Sequence, residues 1–266
     1  MRLSDCHNID DFRLLAKQRL PWPVFDYIDG AADDELTKAR NTASYADCDL
    51  VPDVLAGVED IDTSVTILGR KSALPLILSP TALQRVFHWQ GERAVARAAE
   101  KFGLWFGISS LSTISIEEIA AMVSTPKMFQ FYYHKDRGLN RSMLEVGLDW
   151  KMAEQLREDW GGGFCLKGIM SVADARRAVE IGADAIMISN HGGGQLDDSR
   201  APFDQLPEIV DAAGGEIEII CDGGVRRGTH VLKALSAGAT CASGGRLYLY
   251  ALAAAGLALT RSSCGS

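Results

Sequence analysis

Seven short apolar runs, each followed by a stretch of helical periodicity, constrain this chain more than anything else in it. The runs occupy residues 74–79, 104–110, 128–133, 164–169, 185–190, 217–222 and 240–245. Strands that are apolar nearly throughout need cover on both faces. Alternation with helices supplies that cover and implies a parallel sheet. The intervening helices carry their own punctuation. Ser115 with Glu118 has the spacing of a capping box ahead of Ile119 and Met122. Ser171 precedes Val172, Ala175 and Val179, with Gly182 as a stop. Thr229 precedes Val231, Leu232 and Leu235, with Gly238 closing that helix.

Residues 1–50 read differently, as a helical lead-in. Asp10 or Asp11 is expected to cap a helix running through Lys17. Trp22-Pro23 opens a second helix containing Val24, Phe25, Tyr27 and Ile28. No linker or shift in composition divides the series, so one domain over 1–266 is expected, with 51–266 holding the strand–helix units. Seven units suit either a (β/α) barrel, which ordinarily has eight, or an open doubly wound sheet.

Composition narrows the function classes. With 47% hydrophobic and 23% charged residues the chain is globular. A net charge of −8 opposes broad attachment to nucleic acid or anionic lipid. Six cysteines without a C-x-x-C pair read as reduced buried thiols, and neither a zinc site nor a disulfide framework is expected. Residues 1–12 contain no apolar core of signal-peptide length. The longest apolar stretch, 248–259, is too short for a bilayer. A soluble cytoplasmic enzyme is the expectation.

The chemistry is concentrated where strands end. Cys221-Asp222-Gly223-Gly224-Val225-Arg226-Arg227-Gly228 follows one late strand, and Ser243-Gly244-Gly245-Arg246 ends the next. Glycines let backbone N–H groups approach a phosphate, and arginine adds a forked donor. Loops after the seventh and eighth strands of barrels often form such a site. Ser189-Asn190-His191-Gly192-Gly193-Gly194 places a histidine at a strand end, where it could exchange a proton with a substrate; the blander role is bonding loop backbone. Lys167 shares a strand face with Cys165, and Gln130 shares one with Tyr132. An amide and a phenol there suit a heterocycle edge and a substrate oxygen, or simply polar barrel filling.

Together these motifs resemble the FMN-dependent α-hydroxy-acid oxidase and dehydrogenase family, which includes glycolate oxidase, flavin-type L-lactate dehydrogenases and mandelate dehydrogenase. The matching stretches are Phe25-Asp26-Tyr27, Pro80-Thr81-Ala82 with Gln84-Arg85, Ser109, Phe129-Gln130-Phe131-Tyr132, Leu166-Lys167-Gly168, Ser189-Asn190-His191-Gly192, the Asp222–Gly228 motif quoted above, and Gly245-Arg246. They follow the family's order from the lead-in to about residue 256.

The resemblance implies a TIM-type (β/α)8 barrel holding FMN. Pro80, Thr81, Ala82, Ser109 and Gln130 match positions around the isoalloxazine ring. Lys167 matches the lysine near the N1–C2 edge that stabilises anionic reduced flavin, and Ser189 matches a further flavin contact. Asp222, Gly223, Gly224, Arg226, Gly245 and Arg246 match the ribityl and phosphate site. His191 matches the catalytic base; Tyr27 and Tyr132 match substrate-binding residues. A small L-2-hydroxy acid would become a 2-oxo acid as two electrons pass to flavin N5, then on to oxygen, a quinone or another acceptor. The family's habit is to form homo-oligomers.

Three departures follow from the same comparison. Gly194 stands where the family has an arginine that clamps the substrate carboxylate through a two-point contact. Near 145–150 a strand and its long loop are absent. That strand ordinarily carries the aspartate paired with the catalytic histidine, and its loss accounts for seven units instead of eight. The family's helical tail is largely absent after Ala255-Gly256. These departures keep an alternative in play: a catalytically impaired relative that binds FMN or another phosphate ligand.

Overall fold

A computed structural model describes residues 1–55, 57–132 and 149–256. All seven expected strands are present: five are trimmed at their ends, one is shifted from 74–79 to 76–81, and one runs over 127–130 instead of 128–133. A short antiparallel hairpin, β1 (Val65–Ile67) and β2 (Arg70–Ser72), precedes them and was not foreseen from sequence. The seven are β3 (Leu76–Thr81), β4 (Trp105–Ser109), β5 (Lys127–Gln130), β6 (Cys165–Lys167), β7 (Ala185–Ile188), β8 (Glu218–Asp222) and β9 (Cys241–Gly244).

Their order in the sheet is β5-β4-β3-β9-β8-β7-β6, and every pairing is parallel. The first strand of this series therefore pairs with the last, as in a barrel. The remaining break lies between β5 and β6, which are consecutive in sequence. This pattern decides against a doubly wound sheet. The fold is a (β/α)8-type barrel with seven of its strands among the described residues, and the break falls where the family comparison places the deletion. Residues 133–148, which include most of the junction expected near 145–150, and the tail 257–266 lie outside the described residues.

Eleven helices are described. The lead-in supplies α1 (Ile9–Arg19), α2 (Trp22–Asp29) and α3 (Leu36–Ala43). After β3 come α4 (Gln84–Phe87) and α5 (Glu92–Phe102), then α6 (Ile116–Met122), α7 (Trp150–Trp160), α8 (Val172–Glu180), α9 (Pro202–Ala213), α10 (Gly228–Ser236) and α11 (Arg246–Ala255). Ser115 and Ser171 cap α6 and α8 as expected, accepting from the N–H groups of Glu118 and Asp174. The capping box is not completed, because the Glu118 carboxylate pairs with Arg93 instead. Two other caps differ from expectation. Asn8, not Asp10 or Asp11, caps α1, since its side chain sits before the first helical turn and accepts from both aspartate N–H groups. Arg227, not Thr229, occupies the N-cap of α10.

Three apolar clusters divide the interior. One lies under α1, α5 and α11, with Phe12, Phe25, Phe106 and Leu252 among its members. A second lies between the sheet and α8–α10, around Ile186, Leu206 and Ile219. The third fills the barrel lumen with Ile67, Ile77, Trp105, Met187, Ile220 and Cys241, so the barrel is packed and not a pore. The hairpin closes its lower end, where the Leu68 N–H donates to the Glu218 carboxylate. The cysteines differ in part from expectation: Cys6, Cys221 and Cys241 are buried, whereas Cys48 and Cys165 are partly exposed. Among the described residues no helix is long and apolar enough to cross a membrane.

Candidate active site

Above the lumen cluster the inward face changes character. Two positions beyond Ile77, Met128, Cys165, Met187, Ile220 and Cys241 stand Ser79, Gln130, Lys167, Ser189, Asp222 and Ser243. On β4 a glycine occupies that level, and Ser109 follows it. Strand alternation thus turns seven apolar strands into a polar layer at their C-terminal mouth, the end at which barrels carry their chemistry.

Asp222 is the hub of this layer. Its Oδ1 accepts from the Ser79 hydroxyl at 2.8 Å and its Oδ2 from Ser189 at 2.7 Å. The Lys167 ammonium lies 3.5 Å from Oδ2, and the Ser79 and Ser243 hydroxyls meet at 2.5 Å. Burial alone would raise the carboxyl's pKa. Lys167 and the hydroxyls of Ser189, Ser79 and Ser243 outweigh it, and the group is held below its ordinary range, as a carboxylate.

His191 is tied to the same hub. Ser189 accepts from the His191 backbone N–H at 3.1 Å while donating to Asp222. The histidine has φ +56, in the left-handed region that few non-glycine residues adopt. Its loop is braced by the lead-in. Asn190 and Asn41 exchange amide hydrogen bonds at 2.7 and 2.8 Å. Asp197 accepts from the Leu36 and Thr37 N–H groups at the start of α3, chiefly Thr37, which holds its carboxyl down at about 2. Gly193, at φ +78, is pressed so close to α3 that a Cβ would lie 2.7 Å from the Lys38 nitrogen.

The imidazole is exposed in the mouth yet crowded by protein on its barrel side. This crowding is the main influence lowering its pKa. Lys167 and Arg246 lower it further, against the opposing pull of Asp222. Among the described residues no side chain hydrogen-bonds the ring.

The two glycine-arginine clusters meet beside this layer. Gly224 has φ +71, and a Cβ there would overlap the Asn41 carbonyl, so the loop lies flat against α3. Tyr45 and His230 support it from below. Their rings stack at 4.5 Å, the Tyr45 hydroxyl donates to the Gly223 carbonyl, and His230 Nδ1 accepts the Arg226 N–H. The Arg226 guanidinium lies over the Tyr250 ring, and its Nη1 is buried without a partner. The Arg246 side chain is turned to backbone carbonyls instead. Gly245 packs closely against β3, where a Cβ would meet the Thr81 Cγ2 at 3.3 Å and the Ser79 Cβ at 3.7 Å.

On β3 the Pro80-Thr81-Ala82 turn is half-buried at the rim. The Tyr248 hydroxyl donates to the Ser79 carbonyl and meets the Thr81 hydroxyl, which also accepts from the Gln84 amide. Gln130 accepts from Ser109 at 3.1 Å. Tyr27 and Tyr132 stand at the outer rim, 61% and 36% exposed. The Tyr27 ring stacks on Phe87.

The mouth therefore brings together His191, Lys167, Ser189, Asp222 and the β3 turn, with the glycine loops alongside. Sequence reasoning passed over Ser79, Ser243, Tyr248, Asn41 and Tyr45. The two serines carried a signal, since both sit on the inward period of their strands. The departure at Gly194 is not forced by the backbone: φ −88 and ψ −6 suit any L residue. Arg200 does not replace the missing arginine, because it is engaged by Gln205 and Glu208 on α9.

This donor set fits FMN. A buried arginine nitrogen without a partner and two glycine loops suit a phosphate, and the polar layer with Lys167 suits a ring that gains negative charge. Comparison with known proteins agrees. A family described as FMN-dependent dehydrogenase matches residues 16–146 and 143–261, in two pieces. The L-lactate dehydrogenase of Alcaligenes faecalis is 34% identical over 333 residues, covering 92% of this chain and 88% of that protein. The L-lactate oxidase of Nostoc sp. is 35% identical, covering 96% and 90%. Both alignments are longer than this chain of 266 residues, so the relatives contain residues it lacks. Among solved structures, mandelate oxidase with (S)-2-phenylpropionate superposes with a TM-score of 0.90 at 34% identity, over 96% of this chain and 89% of the other.

Proposed function

The chain belongs to the FMN-dependent dehydrogenase family, and from that premise we propose that it oxidises a small L-2-hydroxy acid to the 2-oxo acid, with His191 as the base. The observation that carries this reading is the placement of His191. It stands at the mouth beside the Lys167–Asp222 pair, fixed through Ser189 and held neutral near neutral pH. A neutral imidazole in that position takes the proton released from the substrate. FMN, when bound, supplies acceptance of the two electrons at N5.

The protein's own residues do the rest. Lys167 places positive charge where the ring becomes electron-rich, and Asp222 keeps that ammonium oriented. Ser189 sets the histidine's backbone. Pro80, Thr81, Ala82, Ser109 and Gln130 border the ring, while Gly223, Gly224, Arg226, Gly245 and the first turn of α11 receive the ribityl phosphate. Tyr27 and Tyr132 face the substrate from the rim, consistent with their exposure.

One observation favours the second reading, a cofactor-binding protein impaired in oxidation. Gly194 offers no carboxylate clamp, and Arg200 is turned away. An absorbance spectrum of the purified protein, followed by anaerobic addition of L-lactate, glycolate and L-mandelate, separates the readings. Flavin bands that bleach support the oxidation. Bands that persist support the impaired FMN binder, and a colourless protein that takes up no added FMN defeats both FMN readings.

A further inference from the structure

Arg246 is the first residue of α11 and makes no ion pair with a carboxylate among the described residues. Its guanidinium instead spans two separate parts of the chain. Nε donates to the Ile28 carbonyl at 2.9 Å and Nη2 to Gly30 at 2.5 Å, at the end of α2. Nη1 donates to Gly192 at 2.7 Å, in the loop that follows β7. One helix carries Tyr27 and the other segment carries His191. All three guanidinium nitrogens are thus in use, and each bond runs to backbone whose position does not depend on side-chain rotamers.

Arg226 is disposed in the opposite way. It lies 5.2 Å over the Tyr250 ring with Nη1 buried and unpaired. Tyr250 is itself anchored, donating at 2.7 Å to Asp29, which also takes the Arg13 fork. One arginine at this end of the mouth is therefore committed to protein backbone, and the other has a donor to spare. A planar fork with donors on three nitrogens can bridge three carbonyls, whereas an ammonium is a single point.

We propose that the Arg246 side chain is a positioning group that straps the helix end bearing Tyr27 to the loop bearing His191, with Arg226, assigned to the phosphate above, as the contrast. The proposal rests on the reading of this mouth as an FMN site.

The test compares R246Q, R246K and R226Q in the full chain. FMN and riboflavin, which differ by the phosphate, are titrated by flavin fluorescence. Amide hydrogen exchange is followed at Ala32, whose N–H donates to the Gly193 carbonyl and so reports on the strapped joint. R226Q should lose about tenfold or more in FMN affinity, with its preference for FMN over riboflavin, as expected for a charge-assisted contact. R246Q should keep that preference within about twofold, the usual scatter between independent sites. Its Ala32 amide should exchange about tenfold faster through local opening, with R246K between the two, and its KM for a hydroxy acid should rise more than its kcat falls. Loss of the FMN preference in R246Q, or unchanged exchange at Ala32, overturns the strap. Failure of the unaltered protein to bind FMN defeats the functional reading, and the exchange comparison then decides the strap alone.

Discussion

The two sides of the barrel mouth are built to different standards. On the side formed by β7, β8, β9 and β3, most strand residues are buried, and Asp222, Ser79, Ser189 and Ser243 satisfy one another. On the side formed by β5 and β6, no strand residue reaches full burial. Phe129 and Phe131 are 41% and 54% exposed, and β5 and β6 do not pair with each other. The first side carries Asp222, its serines and the glycine loops, whereas Gln130 and Lys167 stand on the second, which borders the place where the family resemblance puts the aspartate paired with the catalytic histidine. The break between β5 and β6 therefore coincides with the less buried side of the mouth, while the hydrogen-bonded network around Asp222 on the other side is complete.

The largest expected effect lies at the centre of the complete half. Asp222→Ala leaves the Lys167 ammonium and two serine hydroxyls without their buried acceptor. It should destabilise the protein by about 3–5 kcal/mol, read as a drop in the midpoint of chemical unfolding. A cost below about 1 kcal/mol, the level of a surface pair, would mean that the two halves do not differ as described.

Next comes His191→Gln, which should keep flavin while slowing its anaerobic reduction by about 10²–10⁴-fold. Because the imidazole's pKa is lowered from 6.5, the basic form persists into mildly acidic solution. kcat/KM in the unaltered protein should be flat at neutral pH and fall only as pH drops below that value. A limb above 6.5 would point to a different base, or to a histidine stabilised as the cation.

The smallest effect is a gain. Gly194 has ordinary backbone angles, and a Cβ there meets only the His191 carbonyl oxygen at 3.3 Å and its ring Cδ2 at 3.9 Å. Gly194→Arg should fit and, by restoring a charge-assisted contact, lower KM by about tenfold. No change in substrate saturation would show that an arginine at this position does not serve the site while the break between β5 and β6 remains.

Much of this architecture was legible in the chain. The seven strands, the inward-facing lysine and the histidine at a strand end all follow from local periodicity. Closure did not, because it depends on β3 pairing with β9, a contact that no local pattern encodes. The same reason hid Ser79 and Ser243, whose hydroxyls come together only when strands 164 residues apart become neighbours. The misassigned caps of α1 and α10 have a different origin. Several polar residues competed at each helix start, and backbone geometry chose among them. The carbonyls that the Arg246 guanidinium meets were equally hidden, since they come from segments remote in sequence.

The bracing of the His191 loop by α3 has a consequence in time. Asn41 and Asn190 are separated by 149 residues, and Leu36 and Asp197 by 161. Contacts of such span close late, since long loops must be ordered before they are rewarded. On a ribosome, the first helices would wait for most of the chain to emerge before they could grip the loop. His191 is then among the last residues to find its place, and the ordering of its loop would mark the end of folding, after the strands had already assembled.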